Sequence, residues 1–298
     1  MKPNPINQHY IPQFLLRKFT DDKNSLYYYD KEEQTTEKVT TREIFAEKNL
    51  YTDKANHPED AYVIEKDLGD FEREAAGIIG KFATEDEFDL SVEEDERLKL
   101  FFAIMGYRAK KIAENMEETD NAEYWKHNLS VLAKCRTLRD VYDSPELDPM
   151  MKTFIQRDTF YLTGTYFAVI ERRGPEDFII GDTYPTLLTG EAFGNTYTIF
   201  SIFPISPSRV ILLVSNGAKA TPEFVTNLKK ETLNMPVLSR DGKRLHFRVR
   251  KVYQDSVNSL NTLTFMEATA GVAFADPERV FIEKYVEEAR RLAASEDQ

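Results

Sequence analysis

After Asp60, apolar residues recur at steps of three and four through the first half of the chain, which is the period of an α-helix with one buried face. The clearest stripe runs from Ile64 to Phe82. Ser91 and Glu94 form a capping-box signature, which predicts the first turn of the next helix. The predicted helices of this half cover residues 60–82, 91–116, 121–139 and 150–160.

Strand-forming residues dominate the remaining parts of the chain. Segments 25–30 and 34–40, joined by a polar turn, predict a β-hairpin, and 48–52 predicts a further short strand. The second half predicts strands at 162–172, 177–181, 197–203, 209–215 and 245–252, with a hairpin turn at 240–243. It also predicts helices at 222–233, 254–274 and 277–293. Asp276 is the expected N-cap of the last helix, with Pro277 at its first position.

The segment from His9 to Phe19 is strongly apolar, although it lies near a chain terminus, where segments usually fray. We therefore predict a short helix docked on the body of the protein, with His9 just ahead of it and Pro12 in its first turn.

The order of elements predicts an α+β fold and not an alternating βαβ fold. We expect an N-terminal docked segment and β-hairpin, a central helical bundle, and a C-terminal, mainly antiparallel sheet with flanking helices. The chain is expected to form one unit over 1–298. The proline-rich turn at 144–149 would otherwise divide it into 1–148 and 149–298.

The amino-acid composition disfavours or excludes several classes of function. A formal charge of −12 and a pI near 5.0 disfavour broad, non-specific attraction to nucleic acid. Cys135 is the single cysteine, which excludes an intrachain disulfide and a cysteine-based zinc site within one chain. No signal-peptide pattern and no bilayer-spanning apolar run occurs, so we expect a cytoplasmic protein without a membrane partner.

Several short motifs occur in a fixed order along the chain. The opening His9-Tyr10-Ile11-Pro12, the run Leu15 to Phe19 and a tyrosine-rich strand ending at Asp30 come first. Glu65, Glu72, Arg108, the 178–182 strand end, the 203–207 run and the 257–261 segment follow.

This series resembles a bacterial and phage family known as domain of unknown function 4238. The chain departs from the family pattern at 180–185, where the family tends to have Thr-Ser-Asp-Asn-Pro, and at 109–110, where Thr-Pro is common. The resemblance implies a common architecture and carries no activity. The distribution of the family suggests a role in conflict between bacteria and phages.

Common catalytic signatures are absent: no two of the four histidines have metal-ligand spacing, and no phosphate-binding glycine loop or Gly-x-Ser-x-Gly elbow occurs. Glu65 and Glu72 share one side of their predicted helix, and Arg108 lies on the apolar face of the next. A buried arginine requires a carboxylate or an anion, so the structural alternative is an ion pair between helices. Asp182 follows a buried strand and His9 precedes the docked helix; each has a structural alternative, as a turn residue or a hydrogen-bonding residue.

A second feature is the basic segment 240–251. Leu245, Phe247 and Val249 alternate with basic side chains, which predicts a strand with one apolar and one cationic face. The cationic residues are Arg244, His246, Arg248 and Arg250. This face is either a solvated face that protects an edge strand or a surface that follows a phosphate backbone.

Three function classes follow. The first is a metal-dependent phosphodiester or nucleotide hydrolase, whose catalytic residues would be His9, Glu72 and Asp182. His9 and Asp182 are the candidate ligands of a divalent metal, and the candidate binding residues are Arg17, Glu65, Arg108 and Asn261. The second is a non-catalytic module that binds or senses a small anion or a nucleotide in the same pocket. The third is a nucleic-acid-binding protein that uses the basic segment.

Overall fold

A computed structural model of the chain describes residues 6–153, 165–192, 195–215 and 235–296. The helices in these ranges are α1 Gln13–Leu16, α2 Val63–Thr84, α3 Val92–Tyr107, α4 Lys110–Glu118, α5 Ala122–Lys134, α6 Leu138–Asp143, α7 Gln254–Glu267 and α8 Ile282–Glu296, with 3₁₀ turns at Arg17–Phe19 and Pro277–Arg279. The strands are β1 Asn7–His9, β2 Ser25–Asp30, β3 Thr35–Thr40, β4 Ala46–Lys48, β5 Glu87–Ser91, β6 Thr165–Arg172, β7 Ile180–Gly181, β8 Thr186–Ala192, β9 Asn195–Pro204, β10 Arg209–Ser215, β11 Val237–Leu238, β12 Arg244–Arg248, β13 Arg250–Val252 and β14 Gly271–Phe274. The predicted α+β class is confirmed.

The strands form a five-stranded sheet in the order β13-β6-β10-β9-β8, a four-stranded sheet β3-β2-β14-β7, a three-stranded sheet β11-β12-β5 and the pair β1-β4. Pairing is antiparallel except between β13 and β6. Two sheets combine distant parts of the chain: β14 pairs with β2 of the N-terminal hairpin, and β12 pairs with β5. The hairpins predicted around residues 31–34 and 240–243 are confirmed.

The helix α2 carries the predicted apolar stripe into the main core. At its C-terminal end the Phe82 ring packs edge-on against Phe88, Phe167 and Phe247, with ring centroids 4.7–6.0 Å apart. These partners come from β5, β6 and β12. Arg209 of β10 adds a polar contact, since its guanidinium donates hydrogen bonds to the last carbonyls of α2 and to two acidic side chains.

The helix predicted over 91–116 is in fact two helices, α3 and α4, separated at Arg108. Two carbonyls at the break accept hydrogen bonds from side chains and not from the next helical turn. Trp125 Nε1 donates to the Tyr107 carbonyl at 3.0 Å, and Tyr51 Oη donates to the Arg108 carbonyl at 3.1 Å. These long-range contacts end the helix without any helix-breaking residue at the break.

Other predicted helix boundaries were also wrong. The helix predicted over 121–139 ends at Lys134, and Thr137 with Asp140 forms a capping box that begins α6. The helix predicted over 254–274 ends at Glu267, so that 271–274 can form the inner strand β14. Asp276 is the N-cap of the 3₁₀ turn that begins at Pro277, and α8 begins only at Ile282.

Several strand predictions differ from the structure. Residues 49–51 form a turn, with Asn49 at a φ of 58°, so the strand predicted at 48–52 ends at Lys48. Only Ile180–Gly181 of 177–181 is a strand, and the sequence did not predict β5, β8 or β14. The strand predicted at 245–252 is split, because the Val249 N–H donates to the Asp86 carbonyl between β12 and β13.

Some predictions fall outside the described residues. These are the helix at 222–233, residues 154–160 of the fourth helix and residues 162–164 of the first C-terminal strand. Residues 149–153 are helical, as predicted. In the described ranges, no helix combines the length and the apolarity that crossing a bilayer requires.

The predicted docking of the N-terminal segment is confirmed. Leu15, Leu16 and Phe19 are completely buried. Pro12 is the N-cap of α1 and not part of its first turn, and His9 lies in β1, whose pairing with β4 ties the terminus to the body.

The capping box of α3 gives a first prediction. Ser91 Oγ accepts a hydrogen bond from the Glu94 N–H at 3.1 Å. Ser91→Ala should lower the free energy of unfolding in urea by about 1 kcal/mol. Ser91→Asp, which keeps an N-capping oxygen, should stay within roughly 0.5 kcal/mol of the wild type. Equal losses in both variants would contradict the capping role.

Candidate functional site

The Arg108 guanidinium is the centre of the candidate site. It is only 2% exposed, although it lies at the end of α3. Its Nη1 donates to Glu72 Oε1 at 2.5 Å, its Nε donates to Tyr51 Oη at 3.2 Å, and its Nη2 donates to the backbone carbonyl of His9. One buried cation therefore joins α2, α3, the 49–62 loop and the N-terminal strand.

The electrostatics keep this cation charged. Burial alone would lower the pKa of Arg108, but the neighbouring Tyr51, Glu72 and Glu65 outweigh it and raise that pKa. The guanidinium carbon also lies 5.2 Å from the centre of the Tyr51 ring, where the ring quadrupole attracts it. The ion pair expected between Arg108 and a glutamate of α2 is present, and its partner is Glu72.

The backbone carbonyl of His9 belongs to this cluster, but the His9 ring contacts other residues. The ring Nε2 donates to the Thr41 carbonyl at 2.8 Å, and the Gln13 amide nitrogen lies 3.5 Å from Nδ1. Burial lowers the pKa of His9, and the charges of Arg108 and Arg17 lower it further. The Arg17 side chain itself is exposed and donates to Gln13 Oε1 at 2.9 Å.

Two residues of the cluster were not predicted from the sequence. Gln8 is completely buried, and its Oε1 accepts a hydrogen bond from the Tyr51 N–H at 2.5 Å. Tyr51 then places its hydroxyl between the side chain and the carbonyl of Arg108. A glutamine next to an apolar motif and a lone tyrosine in a loop carry no periodic signal that would have identified them.

Glu65 lies beside the cluster, in the first turn of α2. Burial raises the pKa of its carboxyl to about 7; the charge of Glu72 adds to the rise and that of Arg108 opposes it. Its Oε2 atom is buried and has no hydrogen-bond partner among the described residues. The two glutamates of α2 therefore differ: Glu72 is ion-paired, and Glu65 has an unsatisfied oxygen.

Asp182 follows β7, as predicted, and both of its carboxylate oxygens accept backbone hydrogen bonds. The Thr269 N–H donates to Oδ1 at 2.8 Å and the Ala270 N–H donates to Oδ2 at 2.7 Å. The carboxylate thus caps the turn between α7 and β14, and not a turn of its own loop. Lys31 supports the same turn by donating to the Phe265 and Ala268 carbonyls.

Tyr10 connects the two regions. Burial raises the pKa of its phenol, and the charge of Asp182 is the next largest cause. Tyr10 directly follows His9, whose carbonyl accepts a hydrogen bond from Arg108. The charge of Asp182 therefore acts on the N-terminal segment that is bound to Arg108. The end of α3 also approaches the loop after Asp182, since a Cβ at Gly106 would lie 3.9 Å from Pro185 Cδ.

Asn261 belongs to a different network. Its Nδ2 donates to the Asp177 carbonyl at 2.9 Å and to Tyr285 Oη at 2.7 Å, and its Oδ1 accepts from the Ile179 N–H. Tyr285 Oη in turn donates to the buried Glu176 carboxyl. Asn261 therefore joins α7, α8 and the segment before β7, and its hydrogen bonds within the described ranges do not reach the Arg108 cluster.

The basic segment has acidic neighbours. Across the pairing of β12 with β5, His246 Nδ1 lies 2.9 Å from Asp89 Oδ1, and Arg248 Nε lies 2.6 Å from Glu87 Oε1. Arg244 and Arg248 lie on β12, whereas Arg250 lies on β13 in another sheet. A cleft of about 190 Å³ is lined by His246, Arg248 and Arg250 together with apolar residues that include Phe167 and Phe247. Cross-strand pairing thus offsets much of the cationic face, which disfavours a phosphate-tracking surface.

The geometry of the described residues does not supply a set of ligands for the metal-binding hypothesis. Over the described ranges, no group of three or more histidine, cysteine, aspartate or glutamate side chains is arranged to hold a metal ion. His9 and Asp182, the candidate ligands, instead make the ring and backbone hydrogen bonds given above.

The contacts between the His9 segment, Glu72 and Arg108 bring together motifs that carry the family resemblance. A profile of the family described as "Protein of unknown function (DUF4238)" matches residues 7–278. The chain belongs to the DUF4238 family. No curated protein and no solved structure matches the chain. In this DUF4238 protein, the Arg108 cluster joins the opening motif to the central helices.

Removal of the buried Arg108 cation should destabilise the native protein. Arg108→Met leaves Glu72, Tyr51 and the His9 carbonyl without their buried partner, so the free energy of unfolding should fall by about 3–5 kcal/mol. The measurement is denaturant unfolding followed by circular dichroism. Arg17→Met, a matched change at an exposed arginine of the same segment, should cost roughly 0.5 kcal/mol or less. Similar losses in the two variants would contradict the central role of Arg108.

The raised pKa of Glu65 gives a pH dependence. The pKa of this carboxyl is about 7 in the native state and 4.5 ordinarily, so its stabilising contribution is full below pH 4.5 and is lost as pH rises from there through 7. Relative to Glu65→Gln, the wild type should therefore lose about 3 kcal/mol of stability between pH 4 and pH 8. Unfolding titrations of both proteins measure this difference. A constant difference across the range would contradict the shifted pKa.

Proposed function

We propose that the region around Arg108 in this DUF4238 protein is a non-catalytic site that binds a small ligand, and that Glu65 is the group that contacts it. The observation that carries the proposal is the buried Glu65 Oε2, which has no hydrogen-bond partner in the described part of the chain. A buried polar atom without a partner costs about 1–3 kcal/mol and is uncommon in native proteins. A ligand that donates a hydrogen bond would remove this cost.

The surrounding charges define the chemistry of the ligand. Three protein groups already bind the Arg108 guanidinium, and two carboxylates flank it, so the site disfavours an anionic group. Glu65 instead favours neighbouring N–H donors. The amino and imino groups on the base of a nucleotide have this character, and protein carboxylates accept hydrogen bonds from them. We therefore propose a nucleotide or nucleoside, bound through its base.

The engagement of the other candidate residues supports binding over catalysis. Asp182, His9 and Glu72 each make the structural hydrogen bonds or ion pair described above. A hydrolase that uses them as metal ligands or bases would have to break those contacts. The buried, free thiol of Cys135 is compatible with the reducing cytoplasm, where we propose that this binding function takes place.

Thermal unfolding with a panel of nucleosides and nucleotides tests the proposal. A ligand at about 100 times its dissociation constant adds roughly 2.7 kcal/mol to native stability, so the midpoint of the wild type should rise. Glu65→Gln should lose the shift, because the amide carries no charge and replaces one acceptor oxygen with an NH₂ donor. Glu59→Gln removes the same charge from an exposed position nearby and should keep the shift. No shift with any base, or equal shifts in wild type and Glu65→Gln, would contradict the proposal.

A hydrolase remains a second proposal, because a carboxyl with a pKa near 7 is suited to proton transfer at neutral pH. In that case Glu65 is the general base, and hydrolysis of a phosphodiester with Mg²⁺ or Mn²⁺ should fall at least about 100-fold in Glu65→Gln. Binding without turnover would favour the module over the hydrolase.

A further inference from the structure

A serine and a histidine from separate elements meet at α5. Ser130 Oγ of α5 lies 3.3 Å from Nε2 of His57, which belongs to the 49–62 loop. Ser130 is 3% exposed, whereas His57 is half-buried and the residues on both sides of it are exposed. With its proton on Nδ1, the His57 ring accepts the serine hydroxyl at Nε2. This is the contact that a nucleophile and its base require.

Two carboxylates lie within electrostatic reach of this histidine. Burial raises the pKa of Asp67, while the charges of Lys134, Arg136 and His57 lower it. The hydrogen bond from Lys66 lowers the pKa of Asp60, and His57 contributes a smaller effect in the same direction. Asp67 Oδ2 is buried and has no hydrogen-bond partner within the described ranges. A carboxylate at this range attracts the positive charge that develops on a catalytic histidine during proton transfer.

A cation lies on the same side of α5. Lys134 is four residues after Ser130, so the two side chains are neighbours on one helical face. Lys134 Nζ lies 3.9 Å from Asp67 Oδ2 and is half exposed. An ammonium at this position is suited to stabilise an oxyanion that develops next to Ser130. The four groups thus include a nucleophile, a base, a carboxylate and a cation.

We propose that Ser130 is a nucleophile activated by His57, and that it forms an acyl-enzyme with small esters. Asp67 stabilises the His57 imidazolium, and Lys134 stabilises the oxyanion. This inference does not depend on the ligand of Glu65. Glu65 and Asp67 are two residues apart on α2 and therefore project toward different sides of the helix.

The chemical step balances with water as the only co-reactant. Ser130 Oγ attacks the ester carbonyl carbon while its proton passes to His57 Nε2. The bond to the alcohol breaks, and the leaving oxygen takes the proton from His57. A water molecule then gives a proton to His57 and attacks the acyl carbon. The bond to Ser130 breaks, the carboxylic acid leaves, and His57 returns the proton to Ser130.

A fluorophosphonate probe tests the nucleophile directly in the full-length chain. Ser130 Oγ should displace fluoride from phosphorus, so intact-mass spectrometry should show one adduct per chain, mapped to Ser130 by peptide analysis. Ser130→Ala should abolish labelling. His57→Gln keeps a hydrogen-bonding side chain but has no basic nitrogen, and it should label at least about 100-fold more slowly.

The controls separate a nucleophile from a structural hydrogen bond. Ser201→Ala, at another buried serine, should label at the wild-type rate, and wild type denatured in urea should not label. Thermal unfolding of each variant verifies the native fold. Absence of an adduct on native wild type, an adduct on a different serine, or a folded His57→Gln that labels at the wild-type rate would each overturn the proposal.

Discussion

The buried Arg108 guanidinium imposes a constraint that the rest of this structure accommodates. A cation that is removed from water is tolerated only where acceptors replace its hydration, and here they come from a carboxylate, a phenol and a backbone carbonyl in three separate segments. Because these acceptors must converge at one point, the N-terminal strand, the 49–62 loop and α2 have fixed positions relative to the end of α3. The break between α3 and α4 follows from the same convergence, since Tyr51 binds the Arg108 carbonyl that would have continued the helix.

In this arrangement, some polar groups are engaged in structural contacts, whereas others remain available to bind a ligand. Glu72 and the carbonyl of His9 are committed to Arg108, and Asp182 is committed to the turn at 269–270. Glu65 differs, because it shares the electrostatic environment and has a buried oxygen without a hydrogen-bond partner in the described part of the chain. Residues of the family motifs therefore have different roles. Glu72 and Asp182 make structural contacts, whereas Glu65 is the proposed ligand contact.

Sequence reasoning succeeded where the cause was local. The stripe from Ile64 to Phe82, the capping box at Ser91 and the two hairpins each depend on residues close in the chain. It failed where contacts across many residues decide the outcome. Neither the end of α3 at Tyr107 nor the strand β14 within a helix-like segment has a local signal. The pairing of Arg108 with a glutamate of α2 was predictable from burial, but the contribution of Tyr51 and Gln8 was not.

The pairing of β14 with the N-terminal hairpin also has a consequence for biosynthesis. The partner of β2 lies about 240 residues further along the chain, so the ribosome must release residues 271–274 before the sheet β3-β2-β14-β7 can close. Until then one edge of β2 is unpaired, and unpaired edges promote association between chains. Contacts of such long sequence separation also slow folding, because loop closure precedes the gain from pairing. The nascent chain therefore exposes this edge of β2 until residues 271–274 have emerged.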